Sequence, residues 1–178
     1  MLPAPVDPGP LIGCFPNQVV TKLFLMDAIY TLLPDAVAVV RVAGQRDILE
    51  TIAGLFARAY ELDAAMVLDA LDEREKLGST GFGRGVAIPH ARIDGLKRPV
   101  AALLKLDDPV DFDAADDMPV DLVFGLLSPV DAGATHLHAL AAISRLMRDE
   151  TMREALSESG DAEALYALLT NATDRDAA

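Results

Sequence analysis

Three apolar runs constrain the fold of this chain more than any other feature: Ala36–Val42, Pro99–Leu106 and Val120–Leu127. Each is far too short to span a membrane and too rich in Val, Leu and Ala for a surface loop. Runs without polar alternation read as strands buried on both faces, and such strands need helices above and below them. The intervening segments supply those helices. Ile48, Ile52, Leu55, Phe56 and Ala59 recur at helical spacing within residues 46–60. Asp63 caps a second helix reaching about Lys76, with Val67, Leu68 and Leu71 facing inward. Thr135–Met147 reads as a strong helix, and residues 150–157 and 161–169 as two shorter ones. A short helix capped by Asp27 and stopped by Pro34 is expected before the first strand. Strands alternating with helices argue for a layered α/β fold.

The 178 residues suit one domain, and a 52% hydrophobic composition supplies its core. Residues 1–25 carry five prolines and little periodicity, so they read as a poorly ordered extension. "LIGC" within it lacks the basic and apolar context of a lipoprotein signal, and translation from Met26 is an alternative start. The domain then covers residues 26–172, with 173–178 as a tail. The formal charge of -13 argues against nucleic-acid binding, which needs basic surfaces. No apolar run is long enough for a membrane span, and the single cysteine, Cys14, fits a cytoplasmic protein.

Residues 78–92, "GSTGFGRGVAIPHAR", carry the most chemical information. Gly78, Gly81, Gly83 and Gly85 make a loop in which backbone N–H groups can converge on an anion, with the Ser79 and Thr80 hydroxyls beside them. The loop lacks the Gly-Lys-Ser/Thr of a nucleotide-binding P-loop. A short strand near 86–89 follows and ends on Pro89-His90. Proline fixes its own φ and restricts Ile88, so the backbone leading to the imidazole is stiff. Residues 74–98 hold six Lys or Arg against two acids, a basic island on an acidic protein that suits a small anion. Residues 107–121 hold seven aspartates and read as an acidic rim for a basic partner.

The other two histidines separate by helical geometry. His136 shares a face with Leu140, Ile143 and Met147 and points to the core or a cleft, whereas His138 lies on a more polar face. Two residues apart, they do not share a face as metal ligands would, which disfavours a metallohydrolase.

"REKLGSTGFGRGVAIPHAR" (Arg74–Arg92), "PVDFDAADDMPVDLVFGLL" and "THLHALAAISRL" resemble, in order, the fructose/mannitol-class IIA proteins of the bacterial phosphoenolpyruvate-dependent phosphotransferase system. Within that class the resemblance is to the nitrogen-regulatory branch, and it covers roughly residues 27–170. It implies a three-layer α/β/α sandwich with a mixed central sheet. It also implies that His90 accepts a phosphoryl group on Nε2 from a histidine-phosphocarrier protein, with His136 as the second active-site histidine. Arg74 falls beside the phosphoryl site, and Ser79, Thr80 and Gly81 are expected to border it as phosphate-binding residues. No metal or organic cofactor is expected. Two roles follow: a nitrogen-regulatory carrier that signals through its phosphorylation state, or a sugar-specific IIA component that passes phosphate to a IIB partner. The absence of a fused IIB or membrane domain favours the first.

Overall fold

The computed structural model describes residues 29–172, so the expected extension, the Asp27 cap and the tail lie outside the described residues. Six strands form one mixed sheet: β1 Thr31–Val40, β2 Gly81–Gly83, β3 Val86–Ala87, β4 His90–Ile93, β5 Val100–Val110 and β6 Val120–Pro129. Among the described residues, five helices cover it: α1 Gln45–Tyr60, α2 Ala64–Glu75, α3 Ala134–Arg148, α4 Glu150–Glu158 and α5 Ala162–Ala172. The strand order is β1-β5-β6-β3-β2, and β4 also pairs with β6. β1 runs parallel to β5, β5 antiparallel to β6, and β3 and β4 parallel to β6.

Alternation along the central strands builds two cores. Ala102, Leu104, Val123 and Leu127 face one way and meet Ile48, Ile52 and Phe56 of α1 with Val67 and Leu71 of α2. Ala101, Leu103, Leu122, Phe124 and Leu126 face the other way and meet Ala139, Ile143 and Met147 of α3, Leu156 of α4 and Leu165 of α5. Helices on both faces make the three-layer α/β/α sandwich, and they explain why the strands read as continuous apolar runs. Each large side chain fully withdrawn from water here contributes about 1.5–3 kcal/mol. Gly125 lets α1 approach: a Cβ there would stand 2.6 Å from Ile52 Cδ1 and 2.8 Å from Phe56 Cε2.

The helix starts follow local chemistry. The Asp63 carboxylate accepts the Met66 N–H at 2.9 Å, as the sequence predicts. Asp149 and Asp161 cap α4 and α5 in the same way, accepting from Met152 N and Ala164 N. Among the described residues, no helix is long and apolar enough to cross a membrane.

The start of β1 corrects the sequence reading. Thr31–Leu33 belong to the strand and not to a helix ending at Pro34. The Tyr30 ring is buried edge-on against Phe124, and Thr31 N donates to Pro99 O at 2.9 Å, so pairing with β5 overrides the local helix signal. Pro34 is tolerated because it sits in a bulge between Leu32 and Val37 on a strand at the end of the sheet. Tyr60 closes that bulge: its hydroxyl accepts from Leu33 N and lies 2.7 Å from Ala101 O and 3.0 Å from Thr31 O, as donor. β5 also continues past Leu106 to Val110, carrying Asp107 and Asp108.

Candidate functional site

His90 does not end a strand, as its apolar run suggests; it begins one. β3 stops at Ala87, Pro89 interrupts the ladder, and β4 resumes at His90. Both pieces pair with β6, so the histidine sits at a break in one edge of the sheet, where layers from both faces reach it. The break is tightly held. Pro89 O accepts from Leu126 N at 3.0 Å, and Ile88 N donates to Thr80 O at 2.9 Å.

The imidazole is fixed at both nitrogens. Nδ1 lies 2.8 Å from Ile88 O, a carbonyl that only accepts, so Nδ1 carries the proton. Nε2 is then the unprotonated nitrogen, and it accepts from Arg74 Nε at 3.1 Å. Arg74 comes from the last turn of α2, and its Nη1 donates to Gly78 O at 2.9 Å. His90 titrates below the ordinary histidine value, first because it is largely desolvated and also because the Arg74 cation stands beside it; the bond to Ile88 O and the Glu75 charge oppose the shift. The neutral ring is therefore the form present at neutral pH.

His136 approaches from the opposite layer on α3, with its ring centroid 5.7 Å from that of His90 and the planes tilted by 46°. It is buried, with 6% of its surface exposed, while His138 is exposed, as the helical-face argument predicts. Its Nδ1 lies 2.9 Å from the hydroxyl of Ser128, which is fully buried. Burial, with repulsion from His90 and Arg92, pushes its pKa down to about 4.

Arg74, His90, Arg92 and His136 line one open cleft of about 380 Å³, together with Ala70, Glu73, Leu77 and Ala91. Leu77 is 85% exposed, so the cleft has an apolar lip. Sequence reading placed Arg92 only within the basic island of residues 74–98 and did not name it as a site residue. The available signal was its position two residues after His90, which in a strand places both side chains on one face.

The structure does not bring Ser79, Thr80 and Gly81 to this cleft. Ser79 Oγ donates to Phe112 O at 2.8 Å and accepts from Gly81 N at 3.0 Å. Thr80 is buried, and both its N–H and its hydroxyl donate to the Glu75 carboxylate. Gly81 packs so closely on the next loop that a Cβ would stand 2.6 Å from Ala114 Cα. Ser79 lines a separate cleft of about 280 Å³ with Gln45, Glu75 and Asp113. The loop is a brace between α2 and residues 112–114, and its polar groups are spent inside it. Part of the acidic stretch is spent in the same way: Asp116 accepts from Arg84 N and Met118 N, and Asp111 from Asp113 N.

A half-buried neutral histidine, a buried second histidine, two guanidinium groups and the Glu73 carboxylate gather around one open cleft. The family model described as phosphoenolpyruvate-dependent sugar phosphotransferase system, EIIA 2, matches residues 33–172. A nitrogen regulatory protein of Pseudomonas aeruginosa is 47% identical over 128 residues, covering 71% of this chain and 83% of that protein. A fructose-specific EIIA component of Haloferax volcanii is 39% identical over 117 residues, covering 66% of this chain and 75% of that protein. The crystal structure of nitrogen regulatory protein IIA-Ntr from Neisseria meningitidis superposes with a TM-score of 0.73 at 38% identity, covering 82% of this chain and 99% of that one. The family match takes in every residue that lines the cleft, and the chain belongs to the phosphotransferase system EIIA 2 family.

Proposed function

We propose that this chain is a cytoplasmic nitrogen-regulatory phosphoryl carrier: His90 accepts a phosphoryl group from a histidine-phosphocarrier protein, and the phosphorylation state is the signal. The observation that carries the proposal is the pair of bonds on His90, which holds Nδ1–H on Ile88 O and leaves a lone pair on Nε2.

The chemistry then needs no base. Nε2 attacks phosphorus in line as the P–N bond to the donor imidazole breaks, and the donor ring leaves with that bonding pair. The Nδ1 proton stays on His90, bonded to Ile88 O throughout. Arg74 shifts from the lone pair to the phosphoryl oxygens, and Arg92 and His136 border the charge that develops. Ser79, Thr80 and Gly81 act at one remove, by bracing the segment that carries Arg74.

Incubation with phosphoenolpyruvate, the general first enzyme of the system and a histidine-phosphocarrier protein tests this reading. Intact mass should rise by one phosphoryl group, acid-labile and base-stable, and His90→Ala should abolish the gain while the protein stays folded. Full labelling of His90→Ala would overturn the assignment. The sugar-specific role is tested in the same mixture: onward transfer to a fructose or mannitol IIB partner would replace the regulatory reading with it.

A further inference from the structure

We propose that Ser128 is a positioning residue that holds His136 as the Nε2–H tautomer and so presents an N–H donor to the space beside His90 Nε2. The proposal rests on the phosphoryl-carrier reading only for its purpose, because the tautomer itself is a property of the unmodified protein.

The argument begins with strand register. β4 and β6 are parallel, with His90 opposite Leu126 and Arg92 opposite Ser128. Residues opposite each other or two apart share a face, so Ser128 belongs to the same face as His90 and Arg92. α3 lies over that face and lowers His136 onto it.

Ser128 is fully buried, and among the described residues its hydroxyl has one hydrogen-bond partner, His136 Nδ1 at 2.9 Å. Two arrangements satisfy the distance. If Nδ1–H donated to the hydroxyl oxygen, the serine O–H would be left buried with no acceptor. If the hydroxyl donates to Nδ1, only spare oxygen lone pairs go unmet. An orphaned buried donor is the costlier defect. The serine therefore donates, Nδ1 is the acceptor, and the single ring proton sits on Nε2.

The consequence is a complementary pair of imidazoles. His90 carries its proton on Nδ1 and its lone pair on Nε2; His136 is the reverse. No hydrogen bond to His136 Nε2 exists among the described residues, so its N–H is left for the cleft that both rings line. A phosphoryl group on His90 Nε2 is an acceptor of such a donor. The opposite tautomer would turn a lone pair toward the same oxygens. The depressed basicity of His136 has a supporting role: the ring stays neutral at neutral pH, so the choice between tautomers is a real one.

The test joins a spectroscopic and a kinetic measurement. In the unphosphorylated full chain, two-bond 1H–15N correlation spectra should show His136 Nδ1 with the shift of an unprotonated ring nitrogen and Nε2 with that of a protonated one. Ser128→Ala should move both nitrogens toward the average of a tautomer mixture and slow phosphorylation of His90 by about two- to tenfold, the worth of one hydrogen bond. Ser128→Thr, which keeps the hydroxyl, should restore the wild-type spectrum. A protonated Nδ1 in the wild type, or an unchanged spectrum in Ser128→Ala, would overturn the proposal. The expected spectra in a protein that never labels at His90 would support the tautomer and sink the phosphoryl reading alone.

Discussion

Arg74 Nε stands 3.1 Å from His90 Nε2 and donates to its lone pair. In the proposed transfer the guanidinium would cap the nucleophile before the donor arrives and would have to leave that lone pair as phosphorus approaches. The same contact makes the cation part of the reason that the ring is neutral.

Replacing Arg74 therefore has two separable effects. In Arg74→Ala the pKa of His90 should rise, because a nearby positive charge is gone, and an NMR titration of the ring measures it. Phosphorylation of His90 should slow by about 10²-fold, the scale for losing one preorganised donor to a developing charge. Arg74→Lys should recover the pKa better than the rate, since an ammonium keeps the charge but loses the planar fork.

Glu75 ties the end of α2 to the glycine-rich segment: it accepts from Thr80 N at 2.8 Å, from Thr80 Oγ1 at 2.5 Å and from Gln45 Nε2 at 3.1 Å. Glu75→Gln keeps the shape but loses the charge from these bonds. Urea unfolding should show a loss of about 1.5–3 kcal/mol. Phosphorylation should slow as well, because Arg74 is the next residue and leans on Gly78 within the braced segment.

Acid should weaken the fold through His136. Its native pKa, pushed down to about 4, lies below the ordinary 6.5, so between those values the unfolded chain binds a proton that the native protein does not. Stability then rises with pH across that window: the penalty is absent above pH 6.5 and complete near pH 4. The full effect is about 3 kcal/mol. Chemical denaturation of wild type and His136→Gln from pH 7.5 to pH 4 measures it, and the stability difference between the two should shift in favour of the variant as pH falls.

Gly125→Ala should be costly for one methyl group. The new Cβ meets Ile52 and Phe56 at under 3 Å, and α1 has to lift off the sheet. The overpacking cost is about 1–3 kcal/mol, read as a lower midpoint in thermal unfolding. Phosphorylation of His90 should be little affected, because α1 does not line the cleft.

The helices were legible because their evidence is local. Periodicity marks α1 and α3, and Asp63 announces α2 three residues before the N–H that it caps. The face of His136 follows from the same period. The first strand was misread for the converse reason: Tyr30 and Thr31 are placed by Phe124 and Pro99, which no local pattern reveals. Ser79 and Thr80 looked like free donors because a glycine-rich stretch does not show which carbonyl or carboxylate will claim its hydroxyls; here Phe112 O and Glu75 do. Ser128 left no signal at all. It closes an apolar run, and only the register of β4 against β6 brings it alongside Arg92.

The break at Pro89 bears on how the proposed signal would leave this molecule. The residues flanking His90 are pinned to β6, and its ring is pinned to Ile88, so the segment has no hinge to swing when a group is added. A phosphoryl group here would bring about -1.5 to -2 charges to a surface whose contour barely changes. A reader of that state would then discriminate by potential and not by shape, as if the protein were a fixed terminal that is either charged or discharged. Its hold on a partner should accordingly weaken or strengthen with ionic strength in one state far more than in the other.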